Sequence, residues 1–156
     1  MPLPKEELYT IGDIYSLPEG ERAELIDGQI YDMAPPSRHH QEISMELSTA
    51  IQSYIRSKKG NCRVYAAPFA VQLDEDSHTY VEPDISVICD PNKLDERGCK
   101  GAPDWIIEIV SPASRRMDYY TKLFRYRTAG VREYWIVDPS KNQIIVVIDT
   151  YIHLVR

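Results

Sequence analysis

The sequence predicts a mixed α/β fold, with helices on both faces of a sheet, in one domain of 156 residues. Two observations predict it. Apolar segments of strand length recur along the chain, and two of them flank a helical segment. A strand, a helix and a further strand in succession form a crossover, so those two strands are expected to be parallel. A chain of this size can bury a core without stabilising crosslinks.

The N-terminal part predicts a short helix, a β-hairpin and then a long helix. In "YTIGDIYSLP", Thr10 is a suitable N-cap and Pro18 ends the helix. In "RAELIDGQIYDMA", Asp27-Gly28 supplies a two-residue hairpin turn. Ser37 then caps a helix whose apolar residues recur at helical spacing to about Lys59.

The following residues predict three extended segments, a second helix and further strands. The extended segments are "CRVYAAPFAVQL", "PDISVICD" and "DWIIEIV", separated by the polar connections "DEDSHTY" and "PNKLDERGCKGA". Ser114 is the N-cap expected for the second helix, which ends at Gly130. "REYWIVD" and "QIIVVI" are then strands joined by the turn "PSKN". The order after the hairpin is therefore helix, three strands, helix, strand.

Composition narrows the class of protein. The formal charge of −6 argues against non-specific coating of nucleic acid, although six of the seven charged residues from Arg115 to Arg132 are basic. There is neither a membrane-length apolar run nor an N-terminal apolar leader, so a cytoplasmic protein without membrane contact is expected. Three cysteines without metal-ligand spacing indicate reduced, structural thiols rather than a zinc site.

One carboxylate, Glu108, interrupts the most apolar strand, "DWIIEIV". An ionised side chain in a buried strand costs several kcal/mol unless a partner compensates it. Asp84 opens the preceding strand, and the two acids converge at one sheet edge if these strands are neighbours. Lys122, on the covering helix, can reach the same place. Asp104 also follows a proline, but it lies at the other end of its strand from Glu108.

Two carboxylates and a lysine at one point are typical of metal-assisted phosphodiester hydrolysis. Mg²⁺ binds proteins through one or two carboxylates and keeps its other positions for water and substrate phosphate, and Mn²⁺ is an alternative ion. Such an ion polarises the phosphate and acidifies an attacking water. A nearby lysine can orient or deprotonate that water, or neutralise charge that develops during the reaction.

Four segments resemble the Uma-type restriction endonucleases, a family of the PD-(D/E)XK nuclease superfamily. They are "ELIDGQI" at 24–30, "HQEI" at 40–43, "EPD" at 82–84 and "GAPDWIIEIVSPASRRMDYYTKLFRYRTAGVREYWIVDP" at 101–139. The resemblance covers nearly the whole chain. It implies a restriction-endonuclease-like domain with a helix and hairpin extension at 1–36, a core at 37–139 and a C-terminal strand at 140–156.

The resemblance also implies residue roles. The superfamily's two metal-binding acids fall on Asp84 and Glu108, and the backbone carbonyl of Ile109 is a further candidate ligand. The superfamily's lysine, two positions after the second acid, is replaced by Val110 here. The family's lysine instead falls on Lys122 in the following helix.

Two N-terminal residues and three arginines complete the candidate site. The family's glutamate and histidine match Glu24 and His40, which are expected near the pocket without an assigned role. Arg115, Arg116 and Arg125 are candidates for phosphate contact. The expected activity is Mg²⁺-dependent endonucleolytic cleavage of nucleic acid, with DNA as the expected substrate. A homodimer is expected by analogy, because one active site cuts one strand.

Alternative interpretations remain open at this point. The chain could be a catalytically inactive binding module that keeps the fold, or a two-carboxylate glycoside hydrolase, which needs no metal or lysine. Taken alone, Lys122 with Asp118 is typical of a surface i,i+4 pair. The aromatic residues of the second helix are expected to pack in the core rather than to form a base-stacking platform; they are Tyr119, Tyr120, Phe124 and Tyr126.

Overall fold

The structure is a computed structural model that describes residues 7–75, 77–149 and 151–156. The helices are α1 (Ile11–Tyr15), α2 (Arg38–Ser57) and α3 (Lys122–Ala129), and a π-helical turn at Met117–Thr121 leads directly into α3. The strands are β1 (Ala23–Ile26), β2 (Gln29–Asp32), β3 (Arg63–Ala66), β4 (Ala70–Gln72), β5 (Tyr80–Val81), β6 (Ile85–Ile88), β7 (Leu94–Asp95), β8 (Gly98–Lys100), β9 (Trp105–Ile109), β10 (Glu133–Asp138), β11 (Gln143–Ile148) and β12 (Tyr151–Val155). Short 3₁₀ turns span Pro91–Lys93 and Pro139–Lys141. The mixed α/β prediction is confirmed.

Local sequence signals account for the N-terminal elements. Thr10 caps α1, and its backbone N–H donates to Asp13 Oδ2 over 2.7 Å. Asp27 and Gly28 have φ angles of 49° and 78°, which is the backbone that a tight hairpin between β1 and β2 requires. Ser37 Oγ accepts the backbone N–H of His40 over 3.1 Å and thereby fixes the start of α2.

The described strands form two six-stranded mixed sheets. Their strand orders are β2-β1-β5-β4-β8-β7 and β12-β11-β10-β9-β6-β3. The predicted extended segment "CRVYAAPFAVQL" is divided between them, because β3 pairs with β6 while β4 pairs with β5 and β8. The connection "PNKLDERGCKGA" was predicted to be a loop but contains β7 and β8. These strands are too short to show a period in the sequence. β7 pairs with the adjacent β8, and β8 pairs in parallel with the remote β4.

The second sheet positions the predicted acids. β9 pairs in parallel with β10, as the crossover predicts, and antiparallel with β6. The register joins Ile85 to Ile107, and one further step along the same ladder sets Asp84 opposite Glu108. The two strands are therefore neighbours, and their acids stand at the same end of the pair.

The two long helices cover opposite faces of the second sheet. On one face, α2 packs Ile43, Leu47 and Ile51 against the buried cluster of Ile85, Ile107, Ile109 and Val137. On the other face, Tyr126 of α3 packs with Ile106, Val110, Tyr134 and Ile136. Successive residues of a strand point to opposite faces, so Glu108 faces α3 together with Ile106 and Val110. Within the described ranges, none of the helices combines the length and apolar character that a membrane span requires.

Two of the three cysteines are bonded, which corrects the expectation of reduced thiols. Cys62 and Cys89 form a disulfide, and Cys99 is free and buried. The antiparallel ladder pairs Arg63 with Ile88, and its next step sets Cys62 opposite Cys89. The expectation failed because strand register, rather than a short sequence motif, brings these residues together across a separation of 27 positions.

Candidate active site

Lys122 lies at the centre of a buried cluster of charges. Its Nζ is 2.9 Å from Glu24 Oε1 and 3.2 Å from Glu108 Oε1, and only 4% of the residue is exposed. A buried ammonium without partners would carry a large desolvation cost, and two carboxylates offset that cost here. The structure therefore brings together Lys122 with two of the predicted site residues.

Glu108 is held by groups on the helix that covers it. Its Oε1 accepts both the Lys122 ammonium and the Tyr126 hydroxyl, the latter over 2.8 Å. Burial, at 3% exposure, raises the pKa of Glu108 well above its ordinary value; the charge of Lys122 lowers it, and that of Asp84 raises it further. The carboxylate in the apolar strand is thus satisfied by partners that come from outside the strand.

Glu24 reaches the cluster from the other sheet. It lies on β1, where its side chain bonds Lys122 and accepts the backbone N–H of Glu82 over 2.9 Å. Glu82 is two residues before Asp84 and forms an ion pair with Arg22 at 2.7 Å. Residues from both sheets therefore meet at this point.

Asp84 and His40 form the partly exposed side of the site. Asp84 Oδ2 accepts the backbone N–H of Ile109 over 2.7 Å, and Asp84 Oδ1 lies 3.2 Å from His40 Nε2. The hydrogen bond to Asp84 raises the pKa of His40, against an opposing effect of burial. A hydrogen bond with the backbone of Ile109 also raises the pKa of His40. His39 points elsewhere and lies 3.9 Å from the exposed Glu42.

Asp118 is a fourth buried charged residue of the cluster, after Lys122, Glu108 and Glu24. The alternative interpretation of Lys122 and Asp118 as a surface i,i+4 pair is wrong, because both residues are buried. Ser114 Oγ donates to Asp118 Oδ2 over 2.6 Å, and Asp118 interacts electrostatically with Lys122, Asp84 and Glu24. The sequence does distinguish Asp118 from a surface residue, because it is the single acid in a strongly basic stretch.

Asp118 is expected to make stability depend on pH. Burial raises its pKa to about 6 from the ordinary 3.8, although Lys122 and Ser114 oppose that shift. Between those values the folded chain keeps a proton that the unfolded chain has lost. The free energy of unfolding should therefore fall by about 3 kcal/mol as the pH rises from about 4 to about 6. Urea unfolding at several pH values in EDTA measures this change in the free energy of unfolding.

Asp118→Asn provides the matched control for this pH dependence. The amide has the same shape but does not titrate, so the decline over this pH range should be smaller in the variant. An identical decline in both proteins would assign the effect to other groups, such as Glu108.

The three predicted phosphate-binding arginines lie in different environments. Arg115 donates to Asp138, from its Nη1 to Oδ2 over 2.7 Å and from its Nη2 to Oδ1 over 3.1 Å. Arg125 forms ion pairs with Asp27 and Asp74. Arg116 is exposed and forms no ion pair with the residues that the structure describes. Phosphate contact stays a prediction for all three, and only Arg116 is not already bound to a carboxylate.

The donor groups suit a hard cation. Across residues 7–75, 77–149 and 151–156, no group of three or more His, Cys, Asp and Glu side chains is arranged to hold a metal ion. Mg²⁺ does not require such a group, because it binds through one or two carboxylates and retains water. Asp84, Glu108 and the Ile109 carbonyl offer only oxygen donors, so their chemistry fits Mg²⁺.

Solved and curated proteins resemble this chain over most of its length. The crystal structure of a "putative nuclease belonging to DUF820" from Anabaena variabilis superposes with a TM-score of 0.76 at 24% identity, covering 93% of this chain and 83% of that one. This likeness shows a shared fold. "Uncharacterized protein slr1290" of Synechocystis sp. is 29% identical over 125 residues, which are 80% of this chain and 64% of that protein. "Uncharacterized protein sll1609" of the same organism is 26% identical over 121 residues, covering 76% and 67%.

The match to these curated relatives thus spans about two thirds of their length. A family model described as "Putative restriction endonuclease" matches residues 7–151, and this range contains all the predicted site residues. The chain therefore belongs to the Uma2 family of that description.

Proposed function

We propose that this protein is a Mg²⁺-dependent endonuclease that hydrolyses phosphodiester bonds in nucleic acid, with DNA as the expected substrate. The observation that carries the proposal is the meeting of Asp84 and Glu108 at one end of paired strands, with Lys122 bonded to Glu108. Membership of the family described as "Putative restriction endonuclease" supports the same reaction.

The charge balance of the site favours a bound cation. Four carboxylates belong to the cluster, namely those of Glu24, Asp84, Glu108 and Asp118, against the single ammonium of Lys122. Even a protonated His40 leaves an excess of negative charge when all four are ionised. Like charges that are close together in a poorly hydrated site repel strongly, and a divalent cation relieves that repulsion.

Asp84, Glu108 and the Ile109 carbonyl are the groups that would hold the cation. When bound, Mg²⁺ would polarise the scissile phosphate and acidify a water molecule. The backbone N–H of Ile109 donates to Asp84 Oδ2. A hydrogen bond therefore joins two of the residues that would hold the cation, Asp84 and Ile109. Glu24 is held by Lys122 and by the Glu82 N–H, which suits a role in positioning Lys122.

Lys122 is suited to act as a cation rather than as a base. Burial alone would lower its pKa, but the charges of Glu108, Glu24 and Asp118 outweigh burial and hold the pKa above its ordinary value. The ammonium therefore stays protonated at neutral pH. It can neutralise the negative charge that develops on the phosphate, which is a principal source of rate enhancement in phosphoryl transfer.

Metal dependence is the direct test of the proposal. Labelled single-stranded and duplex DNA and RNA are incubated with the protein in Mg²⁺, in Mn²⁺ and in EDTA. We expect cleavage with the metal ions and loss of cleavage in EDTA, restored by excess Mg²⁺. Undiminished cleavage in EDTA would contradict the mechanism, whereas binding without cleavage under every condition would indicate an inactive binding module. Sedimentation at working concentrations tests the expected homodimer.

A further inference from the structure

The π-helical turn and α3, which together form one helical segment, also expose two aromatic rings to solvent. Tyr120 is 71% exposed and Phe124 is 66% exposed, so the prediction that they pack in the core is wrong. Tyr126 is fully buried, as expected, and Tyr119 is partly buried. The exposed rings, together with Tyr119, Leu123, Arg127 and Thr128, line a shallow and mostly apolar groove of about 560 Å³.

Two arginines flank these rings. Arg116 precedes Tyr120 by four positions and Arg127 follows Phe124 by three, and both are exposed. Residues at such spacing share one side of a helix. We name the surface made by Arg116, Tyr120, Phe124 and Arg127 the aromatic face.

We propose that the aromatic face binds single-stranded nucleic acid, with bases stacked on Tyr120 and Phe124 and with phosphates bound by Arg116 and Arg127. Aromatic rings in a positively charged groove are the features with which proteins bind unpaired strands. Bases in a duplex are stacked on each other and present only their edges, so an intact duplex cannot use the rings in this way. The proposal rests on the proposed nuclease function and specifies its substrate as a nucleic acid with an unpaired segment.

Charge favours this occupant over a second copy of the chain. From Arg115 to Gly130 the single acid is Asp118, which is buried and faces the site. Arg116 and Arg127 form no ion pair with the described part of the chain, so both guanidinium groups are available to an anion. In a symmetric dimer formed through the aromatic face, the same cationic surface would meet itself, and like charges across an interface are unfavourable.

The aromatic face is connected to the candidate active site through one helix. Arg116 stands just before the π-helical turn, two residues after Ser114, whose hydroxyl bonds Asp118. Lys122 extends from the same helical segment to Glu108. A strand that follows the face from Arg127 to Arg116 therefore reaches the loop that leaves β9 directly after the catalytic candidates.

Fluorescence anisotropy of labelled oligothymidylate, measured in EDTA, tests this binding without any cleavage. We expect Tyr120→Ala and Phe124→Ala each to weaken binding at least about fivefold, because each ring stacks one base. Tyr120→Phe and Phe124→Tyr should retain binding, whereas Phe124→Leu, which keeps an apolar side chain without a ring, should weaken it like alanine. Arg116→Gln should reduce the slope of log affinity against log salt by about 0.7.

Several results would overturn the inference. Unchanged affinity in both ring-to-alanine variants, or equal loss with Phe124→Tyr and Phe124→Leu, excludes stacking. A wild-type dimer that dissociates in Tyr120→Ala assigns the face to a second copy of the chain. These exposed positions should not alter folding, which thermal unfolding verifies. Ring-dependent binding without any cleavage would contradict the proposed function alone, and cleavage with ring-independent binding would contradict this inference alone.

Discussion

Replacing Glu108 with glutamine is expected to reduce Mg²⁺-dependent cleavage by at least about a hundredfold, the scale typical of losing one preorganised electrostatic group at a reaction centre. The amide keeps the shape of the side chain, and its oxygen can still accept hydrogen bonds from Lys122 and Tyr126. The negative charge that would attract the cation is lost. Single-turnover cleavage of labelled DNA measures the effect, and circular dichroism shows whether the fold is retained.

Asp104→Asn is the matched control for this experiment. Asp104 also follows a proline at the start of a strand, but its Oδ2 accepts the Cys89 backbone N–H over 2.7 Å at the opposite end of β9. We expect this variant to cleave at nearly the wild-type rate. Equal losses in Asp104→Asn and Glu108→Gln, or full activity in Glu108→Gln, would remove Glu108 from the mechanism.

Lys122→Met is expected to lower the free energy of unfolding by about 3 to 5 kcal/mol, because removing one partner leaves buried carboxylates without their cation. Glu24 and Glu108 both bond Lys122 Nζ, and both residues are buried. A domain of this size has a total stability of about 5 to 15 kcal/mol, so the loss is a large share of it. Denaturant unfolding at neutral pH in EDTA measures the change.

The double variant Lys122→Met with Glu24→Gln separates charge repulsion from lost packing. Neutralising Glu24 removes one unpaired charge, so the double variant should be more stable than Lys122→Met alone. Lys141→Met, at an exposed lysine 5.7 Å from the Tyr119 ring, should change stability by less than about 0.5 kcal/mol. If Lys122→Met proved as stable as Lys141→Met, the charge cluster would not stabilise the fold.

The long or strongly patterned elements were predictable from the sequence. The apolar period and the Ser37 cap gave α2, and the continuous apolar runs gave β9 and β10 in their parallel order. The strands that were missed, such as β5, β7 and β8, have two or three residues each. A period cannot be seen over so few positions, and β5 and β8 pair with strands that are remote in the sequence, β1 and β4.

The candidate site was predictable in its centre but not in its surroundings. Glu108 was conspicuous because a charge in an apolar strand requires a partner, and Lys122 is that partner. The π-helical turn at Met117–Thr121 has no marked sequence signal, so Asp118 was expected at the surface rather than in the cluster. The exposure of Tyr120 and Phe124 is also not predictable from the sequence, because aromatic residues in a helix usually pack into the core.

The contact between Glu24 and Lys122 has a consequence for the newly made protein. These residues are 98 positions apart in the chain, and Glu24 belongs to one sheet while Lys122 covers the other. The cluster's acids at positions 84–118 and Lys122 belong to the second sheet and to the helical segment that covers it, so Glu24 is the acid that joins them only when the two sheets are docked. A chain whose two sheets have not docked lacks the Glu24 partner of Lys122, and we therefore expect the complete charge cluster only in the mature fold.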